Sequence, residues 1–423
     1  MNRRRWLECS LLAAAGAMTD LGRGAARAGV KPRVVIVGGG FAGSACALHL
    51  QHLSVGLEIE LIDPLERYTT CPMSNEVLAG LRDLASLRIA RHGLRRAGIS
   101  VIRDRVARIE PQERRVQLAS GGALSYDRLV VAPGIRFLWE RIEGMSETAT
   151  LRMPHAWMAG DQTARLAAQL REMPDGGVVA ISVPAGLMRC PPGPYERASL
   201  IAHFLQQHQP RSKILILDAN NSFPKQPQFT DAWNRLYAGM IEWIPMTQDG
   251  AVVRVDSASL TLFTASAAHR VSVANVIPPQ APGELARATG LASDHGWCPI
   301  DPRSFESTNV PGVHVIGDAC IADAMPKSAS AALSQAQHCA TAIAALLSGR
   351  PVPEAPFDSV CYGRLSPALA LAFPGHFTLA DGRIVAPEPI AQPRISLDPG
   401  AAARESVAAE RWYTEIRAQA FAA

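Results

Sequence analysis

A glycine-rich segment near the start of the chain constrains the fold most strongly. A β-branched apolar run at 34–37 leads into three glycines, Gly38, Gly40 and Gly43. Asp63 ends a second apolar run twenty residues after the last of them. This pattern predicts a buried strand, a tight turn and a helix, and then a second parallel strand. Gly38 permits the turn, Gly40 lets the backbone approach a pyrophosphate, and Gly43 lets helix and strand pack closely. The segment therefore predicts a dinucleotide-binding βαβ unit, with Asp63 placed for a ribose hydroxyl.

The first 28 residues have the features of an export signal. Three consecutive arginines at 3–5 precede an apolar stretch at 9–18 and small residues at 26–28. The stretch is too short to span a bilayer, and consecutive arginines are typical of the twin-arginine type of signal. That route carries folded, cofactor-loaded proteins. We therefore expect a signal peptide at 1–28 and a mature chain in a bacterial periplasm.

The charge of the chain gives no support for nucleic-acid binding. The formal net charge is +4, and removal of residues 1–28 lowers it to +1, so most of the basic character belongs to the signal. No other stretch approaches about eighteen uninterrupted apolar residues. The sequence therefore predicts a mature protein without a membrane span and without a nucleic-acid partner.

A chain of 423 residues is long enough for two or three domains. Residues 177–218 repeat the strand–helix–strand plan, but their Pro-rich loop lacks the glycines, so they predict a Rossmann-like domain that does not hold NAD(P). Strands at 253–256 and 271–277 are expected to lead back to the first domain. The predicted fold is α/β, with two Rossmann-like dinucleotide-binding domains and a C-terminal α+β interface domain. The predicted ranges are 29–150 and 285–350 for the first domain, 151–284 for the second and 351–423 for the last.

Two further strand ends are expected at the same ligand. An apolar run at 124–131 ends in Ala132 and Gly134, and a run at 312–316 ends in Gly317 and Asp318. In open α/β sheets the carboxyl ends of the strands face the ligand. Asp318 also has a plain alternative role as the cap of the following helix.

The eight cysteines form no metal motif. They lie at 9, 46, 71, 190, 298, 320, 339 and 361, and none belongs to a Cys-x-x-Cys or Cys-x-x-Cys-His motif. The sequence therefore encodes neither a zinc knuckle nor an attached c-type haem, and any haem must belong to another chain. In an oxidising compartment some cysteines are expected to pair. Four are expected as core residues: Cys46, Cys298, Cys320 and Cys339.

The order of these motifs resembles the glutathione-reductase-type flavoproteins, in which a Gly-Asp pair such as Gly317-Asp318 contacts the ribityl chain of FAD. More specific segments resemble the flavoprotein subunit of flavocytochrome c sulfide dehydrogenase. They lie at 68–77, 189–199, 296–299, 315–322, 325–328 and 360–362. The likeness covers essentially the whole mature chain.

The resemblance implies roles for three cysteines. Cys71 matches a cysteine joined by a thioether to the 8α carbon of FAD, whereas the alternative is a half-buried free thiol. Cys190 and Cys361 match a redox-active disulfide beside the flavin, and the alternative is a structural staple that closes a long loop. Hydrosulfide would attack one sulfur and form a persulfide, and the remaining thiolate would pass two electrons to the flavin. The implied electron acceptor is a c-type cytochrome subunit, expected to carry two haems.

The same resemblance leaves four other side chains with two possible roles each. Glu196 would act as the acid–base group for sulfide protons, or lie on the surface at a helix start. Lys327 would offer its charge to the flavin N1 side, or be solvated. Trp412 or Tyr413 would cover the flavin or dock the cytochrome, or pack an amphipathic helix.

Three other functions are weighed against sulfide dehydrogenation. A disulfide reductase fed by NADPH would need Cys-x4-Cys on the first helix, where only Cys46 is present. A sulfide:quinone oxidoreductase would need an apolar C-terminal helix pair, which the charged tail does not supply. The third is a flavoprotein partner that binds and reactivates thiosulfate-oxidation proteins.

Overall fold

The computed structural model describes residues 31–53, 56–293, 296–386 and 398–423. The signal peptide predicted at 1–28 lies outside these residues and stays a prediction. Among the described residues, no helix combines the length and the apolar character needed to cross a membrane.

The first domain is built on a five-stranded parallel sheet. Its strands, in spatial order, are β19 (Val313–Val315), β9 (Arg128–Val131), β1 (Arg33–Val37), β2 (Glu58–Ile62) and β5 (Ser100–Ile102). Residues 34–36 of β1 and 129–131 of β9 are fully buried. Such continuous apolar runs are typical of parallel strands covered on both faces. Helices α1 (Phe41–Leu53) and α8 (Ala329–Leu347) pack against each other beside this sheet.

Smaller elements surround the sheet. The helices are α2 (Ser74–Leu78), α3 (His92–Arg96) and α7 (Glu284–Ala288). The antiparallel strands are β3 (Arg67–Thr69) with β4 (Arg88–Ala90), β6 (Val106–Glu110) with β7 (Arg115–Leu118) and β8 (Ala123–Ser125), and β10 (Ile135–Phe137) with β18 (Gln280–Pro282).

The second domain has a four-stranded parallel sheet. Its spatial order is β13 (Ile241–Ile244), β12 (Lys213–Asp218), β11 (Val178–Val183) and β17 (Val273–Val276). Its helices are α4 (Asp161–Glu172), α5 (Gly193–His208) and α6 (Gln226–Leu236), and a small antiparallel sheet comprises β14 (Arg254–Asp256), β15 (Thr261–Phe263) and β16 (Ala268–Arg270). The strands predicted at 253–256 and 271–277 lie within the range 151–284 predicted for the second domain, where β14 pairs with β15 and β17 pairs with β11. The apolar pattern of a strand does not specify its partner.

The C-terminal region consists of an antiparallel sheet and one long helix. The strands are β20 (Phe357–Ser366), β21 (Leu369–Ala380) and β22 (Arg383–Val385), and the helix is α9 (Pro399–Phe421). Buried Arg364 of β20 contacts Glu76 of α2 and lies 2.7 Å from Glu410 of α9. Arg82 reaches the same two carboxylates at 2.6 Å. Breaking the buried Arg364–Glu76 pair costs about 3–5 kcal/mol, so this pair fixes β20 to α2, and the half-exposed Glu410 connects α9 to the same cluster.

The last turns of α9 pack beside the glycine segment. The ring of Phe421 lies 5.1 Å from that of Phe41 and 5.4 Å from that of Tyr68. Gly93 of α3 allows the close approach, because a Cβ there would lie 2.3 Å from the Phe421 carbonyl oxygen. The predicted α/β architecture with two Rossmann-like domains is confirmed by these sheets.

Candidate functional site

A cavity of about 1190 Å³ lies where the two Rossmann-like domains and the C-terminal sheet meet. Several of the predicted site residues line it: Gly38, Gly40, Asp63, Cys71, Ala132, Gly134, Cys190, Glu196, Gly317, Asp318 and Cys361. Segments that are far apart in the chain therefore converge on one space. Gly43 and Lys327 do not belong to the lining.

The glycine segment forms one end of the cavity. Gly38 has φ +101°, and a Cβ there would lie 2.2 Å from the carbonyl oxygen of Ala132. A Cβ on Gly43 would lie 1.9 Å from the carbonyl oxygen of Gly38. Gly40 faces the cavity, with the Tyr68 ring 3.9 Å from its Cβ position. Because α1 begins at Phe41, its N-terminal N–H groups face this space and suit a phosphate group.

Asp63 supports the glycine segment from the end of β2. Its carboxylate accepts N–H bonds from Gly39 at 2.6 Å and Leu65 at 2.8 Å, and it pairs with Arg91 at 3.1 Å. Arg91 is 2% exposed and also donates to the Gly39 carbonyl oxygen. Sequence reasoning missed Arg91, because a single arginine in a segment rich in arginine gives no signal. The carboxylate therefore fixes the turn while it also faces the cavity.

The Gly317-Asp318 turn forms another wall. The N–H of Gly317 donates to Gln335 of α8 at 2.7 Å, and the Asp318 carboxylate lies 3.8 Å from the Arg189 guanidinium. Ser328 caps α8, whose first residues, including Ala329, line the cavity. The positive end of α8 therefore faces the cavity.

Lys327 supports this turn from behind. Its ammonium group donates to the carbonyl oxygens of Asp318 and Cys320, each at 2.8 Å, and lies 3.8 Å from the centroid of the Trp297 ring. Burial lowers the pKa of Lys327. The structure thus places this charge on the backbone of the turn, and the predicted role at the flavin N1 side stays a prediction.

These features fit a bound FAD. A Cβ at Gly38 or Gly43 would collide with the neighbouring backbone, and a Cβ at Gly40 would stand in the cavity itself. The N-termini of α1 and α8 face the same cavity. Trp412, on α9, is buried at the cavity wall, and its indole N–H has no hydrogen-bond partner within the described part of the chain. Tyr413 instead packs inward, and its hydroxyl lies 2.7 Å from the hydroxyl of Thr70.

Cys71, Cys190 and Cys361 are half-buried thiols on the wall of this cavity. Cys190 has φ +53°, and its N–H donates to the carbonyl oxygen of Lys327 at 2.7 Å. Burial raises the pKa of Cys190 well above its ordinary range, and the charges of Glu196 and Cys361 raise it further. Burial also raises the pKa of Cys361. A thiol at either position therefore keeps its proton unless a base removes it.

Glu196 lies in the first turn of α5, at the cavity wall. Its Oε2 accepts from Asn75 Nδ2 at 2.7 Å, and its Oε1 accepts from the Arg364 backbone N–H at 2.8 Å. Burial raises the pKa of Glu196 to about 7, although these two donors work in the opposite direction. A carboxyl group that titrates near neutral pH can both take and return a proton there.

The remaining cysteines belong to the core, as the sequence predicted. Cys46, Cys298 and Cys339 are completely buried, and Cys320 is 2% exposed. Burial raises the pKa values of Cys298 and Cys320 to about 12. Every cysteine among the described residues is a free thiol in the structure, so the expected pairing of cysteines, including Cys190 with Cys361, stays a prediction.

The crevice of the second domain is filled by its own side chains. Asp218 ends β12, as Asp63 ends β2, but it is completely buried. Its carboxylate accepts from the Tyr195 hydroxyl at 2.6 Å and the Trp243 indole at 2.9 Å. The Tyr195 ring stacks on Phe223 at 3.6 Å. The place that a nucleotide ribose would occupy in such a fold is therefore taken by Tyr195.

Comparisons with known proteins agree with this architecture. Residues 163–278 match the family described as sulfide dehydrogenase (flavocytochrome c) flavoprotein chain, central, and residues 32–167 match pyridine nucleotide-disulphide oxidoreductase. A flavoprotein chain of sulfide dehydrogenase (flavocytochrome c) from Chlorobaculum thiosulfatiphilum is 44% identical over 45 residues, which are 11% of this chain and 94% of that sequence.

Longer matches reach a second group of proteins. The mitochondrial sulfide:quinone oxidoreductase of Dictyostelium discoideum is 24% identical over 300 residues, 68% of this chain and 65% of that protein. The crystal structure of the sulfide:quinone oxidoreductase from Aquifex aeolicus superposes with a TM-score of 0.72 at 18% identity, and covers 93% of each chain. That likeness confirms the fold.

Proposed function

We propose that this chain, which matches the flavocytochrome c sulfide dehydrogenase flavoprotein family over residues 163–278, oxidises sulfide through a Cys190–Cys361 disulfide and passes the electrons to a c-type cytochrome. One observation carries the proposal. Cys190 and Glu196, from the segment at 189–199, and Cys361, from β20, line one cavity together with the glycine cradle. The family is one of sulfide-oxidising, flavin-dependent oxidoreductases.

The chain's own residues perform the sulfur chemistry. Hydrosulfide attacks one sulfur of the oxidised pair, so a new S–S bond forms as the cysteine disulfide breaks. One cysteine then carries a persulfide and the other leaves as a thiolate. Glu196 takes the proton released from the sulfide, since its pKa of about 7 lets it hold that proton near neutral pH. Loss of two electrons from the pair restores the disulfide and releases sulfur in its zero-valent state.

FAD supplies the electron acceptor when it is bound. Gly38, Gly40 and the N-terminus of α1 would hold its pyrophosphate, Asp318 would contact its ribityl chain, and Cys71 would bind it covalently. Its chemistry is to take electrons in pairs and give them up singly, as a haem acceptor requires. The proposed site of action is the periplasm, with the cytochrome, expected as a dihaem subunit, on a separate chain.

The test uses the flavin-loaded protein mixed anaerobically with sulfide. Cys190→Ser or Cys361→Ser should slow sulfide-dependent bleaching of the flavin absorbance at least about a hundredfold, while flavin stays bound. Cys339→Ala, which removes a buried thiol outside the cavity, is the matched control and should react like the parent protein. Retained bleaching in both serine variants would overturn the proposal.

The covalent link has its own test. After acid precipitation the pellet should stay yellow, and its mass should exceed that of the chain by one FAD. Cys71→Ala should release the flavin into the supernatant without loss of the fold. Free flavin from the parent protein would remove the link but leave the disulfide chemistry intact.

A quinone is the second candidate acceptor, because the longer matches are to proteins named sulfide:quinone oxidoreductase. The packing of α9 favours the cytochrome as acceptor. Its apolar residues Trp412, Ile416 and Phe421 pack inward against the first domain, so they do not form the apolar surface that a quinone-reducing relative would present to a membrane. Steady-state assays with sulfide and either cytochrome c or a short-chain ubiquinone distinguish the two. Faster reduction of the quinone would favour the second candidate.

A further inference from the structure

Asn75, on α2, lies between the Glu196 carboxylate and the Arg197 guanidinium. Its Oδ1 accepts from Arg197 Nε at 2.9 Å. Its Nδ2 donates to Glu196 Oε2 at 2.7 Å and to the Gly193 carbonyl oxygen at 3.3 Å. A guanidinium offers donors only, so it fixes the amide oxygen towards Arg197. The amide N–H groups must then point at Glu196, because a flipped amide would place the Asn75 oxygen against the Glu196 carboxylate oxygen, and neither atom can donate.

The charge of Arg197 lacks a direct counterion. The guanidinium is 2% exposed, and its other donors go to the carbonyl oxygens of His155 and Ala156 and to Asn275 Oδ1, all of which are neutral. No carboxylate in the described part of the chain is in ion-pair contact with it. Burial lowers the pKa of Arg197 to about 10, and the charge of Glu196 acts against this. Glu196 and Arg197 therefore form a charge pair separated by a single amide.

We propose that Asn75 is a positioning residue, which couples the buried Arg197 guanidinium to the Glu196 carboxylate and so sets the orientation and proton affinity of the acid–base group. This inference rests on the proposed function and adds a residue that acts on the sulfur chemistry through Glu196. Both Glu196 oxygens accept from donors that cannot accept in return, Asn75 and the Arg364 backbone N–H. An arriving proton must therefore take a lone pair that neither donor uses.

Some of the groups that face Glu196 raise its pKa and others lower it. Burial raises its pKa most strongly, and the charge of Glu76 on α2 adds to it. The Arg364 N–H, the Asn75 amide and the Arg197 charge lower it. Cys190 and Cys361 also face Glu196, and their own raised pKa values keep them uncharged near neutral pH. Asn75 donates one hydrogen bond to Glu196 and fixes the position of its carboxylate relative to the Arg197 guanidinium.

Asn75→Asp provides the sharpest test, because it keeps the shape of the side chain. The new carboxylate pairs directly with Arg197 and places a negative charge where Glu196 had a donor. The Glu196 proton affinity should rise at least about tenfold, which is about one pH unit. The matched control is Asn275→Asp, which adds the same charge to the far side of Arg197 and leaves the Asn75 donor in place. Its shift should stay below about threefold.

The readout is the infrared carbonyl band of protonated Glu196 in the flavin-loaded protein, titrated with pH and identified by its loss in Glu196→Gln. The parent midpoint should lie near 7. Should Asn75→Asp fail to fold, judged by flavin content and thermal unfolding, Asn75→Ser tests the same link and should also raise the midpoint. An unchanged midpoint in the folded Asn75 variant, or equal shifts in Asn75→Asp and Asn275→Asp, would overturn the proposal.

The pH profile of sulfide oxidation, measured on the same variants, separates this inference from the proposed function. If the acid limb of the turnover profile shifts together with the infrared midpoint, both the role of Asn75 and the acid–base role of Glu196 are supported. If the infrared midpoint moves and the turnover profile does not, Asn75 still positions Glu196, but Glu196 is not the acid–base group of the reaction.

Discussion

The two βαβ units of this protein share a topology and differ in what occupies the crevice at the start of the crossover helix. In the first unit, Asp63 ends the second strand and binds the backbone of a bare glycine turn, which leaves space at the helix N-terminus. In the second unit, Asp218 ends the second strand and binds Tyr195, which fills that space. The shared βαβ topology therefore does not determine whether a nucleotide can bind. The side chains in the turn and the first helical turn determine whether the crevice has room for one.

The same comparison explains where the reactive groups lie. In the first turn of α1, Phe41 packs against Phe421 and the next three residues are small, so the N–H groups of this turn are available to a ligand. The first turn of α5 carries Tyr195, which points into its own domain, and Glu196, which reaches the shared cavity. The second unit thus fills its own crevice, and its helix supplies Glu196, the proposed acid–base group, to the cavity served by the first.

The largest difference between the two units is expected for glycine substitutions at their turns. Gly38→Ala places a Cβ 2.2 Å from the Ala132 carbonyl oxygen at φ +101°, so we expect flavin content to fall at least about tenfold. Gly186→Ala is the matched change in the second unit, where φ is +81° and no heavy atom lies within 4 Å of the new Cβ. It should cost only about 1–2 kcal/mol and leave flavin content unchanged. Flavin-to-protein absorbance ratios and urea unfolding measure both, and full flavin in Gly38→Ala would contradict the prediction.

Glu196 should make stability fall as pH rises. Its pKa is about 7 in the folded protein against an ordinary 4.5, so between these values the folded state holds the proton more tightly than the unfolded chain. Stability from this group is complete below pH 4.5 and is lost as pH rises through 7, by about 3 kcal/mol in all. Urea unfolding at pH 5 and pH 8 should show this loss, and Glu196→Gln should remove most of it. An equal slope in the variant would show that other groups are responsible.

Tyr195→Phe should give the smallest effect and sharpen the account of the second unit. It removes a donor from the buried Asp218 carboxylate, and bonds to charged groups contribute about 1.5–3 kcal/mol. The control Tyr237→Phe removes a 2.7 Å bond to the neutral Leu365 carbonyl oxygen and should cost about 1 kcal/mol. Thermal unfolding compares the two variants. NADH binding, followed by fluorescence, should stay absent in Tyr195→Phe, since the ring still fills the crevice.

The parts that sequence reasoning predicted are those written in local patterns. The glycine cradle, the strand ends at Asp63 and Gly317, and the apolar helices follow from spacing within a few turns of chain. The meeting of Cys190 with Cys361 on one cavity came only from resemblance, because no local pattern links residues so far apart. Arg91, Asn75, Arg197 and Gln335 were missed for the same reason: each is a single polar residue whose role depends on a partner from another element. The partner of β17 was not predicted either, because an apolar strand carries no mark of its neighbour.

The position of α9 has a consequence for the order of events during synthesis. A ribosome that has reached the end of α8 has already released all five strands of the first sheet, but Trp412 and Phe421 are still to come. Until they arrive, one wall of the cavity is missing and the Tyr68 ring has no aromatic neighbour on that side. We therefore expect a ligand of this cavity to bind only after α9 has been synthesised, when segments near both ends of the described polypeptide enclose it.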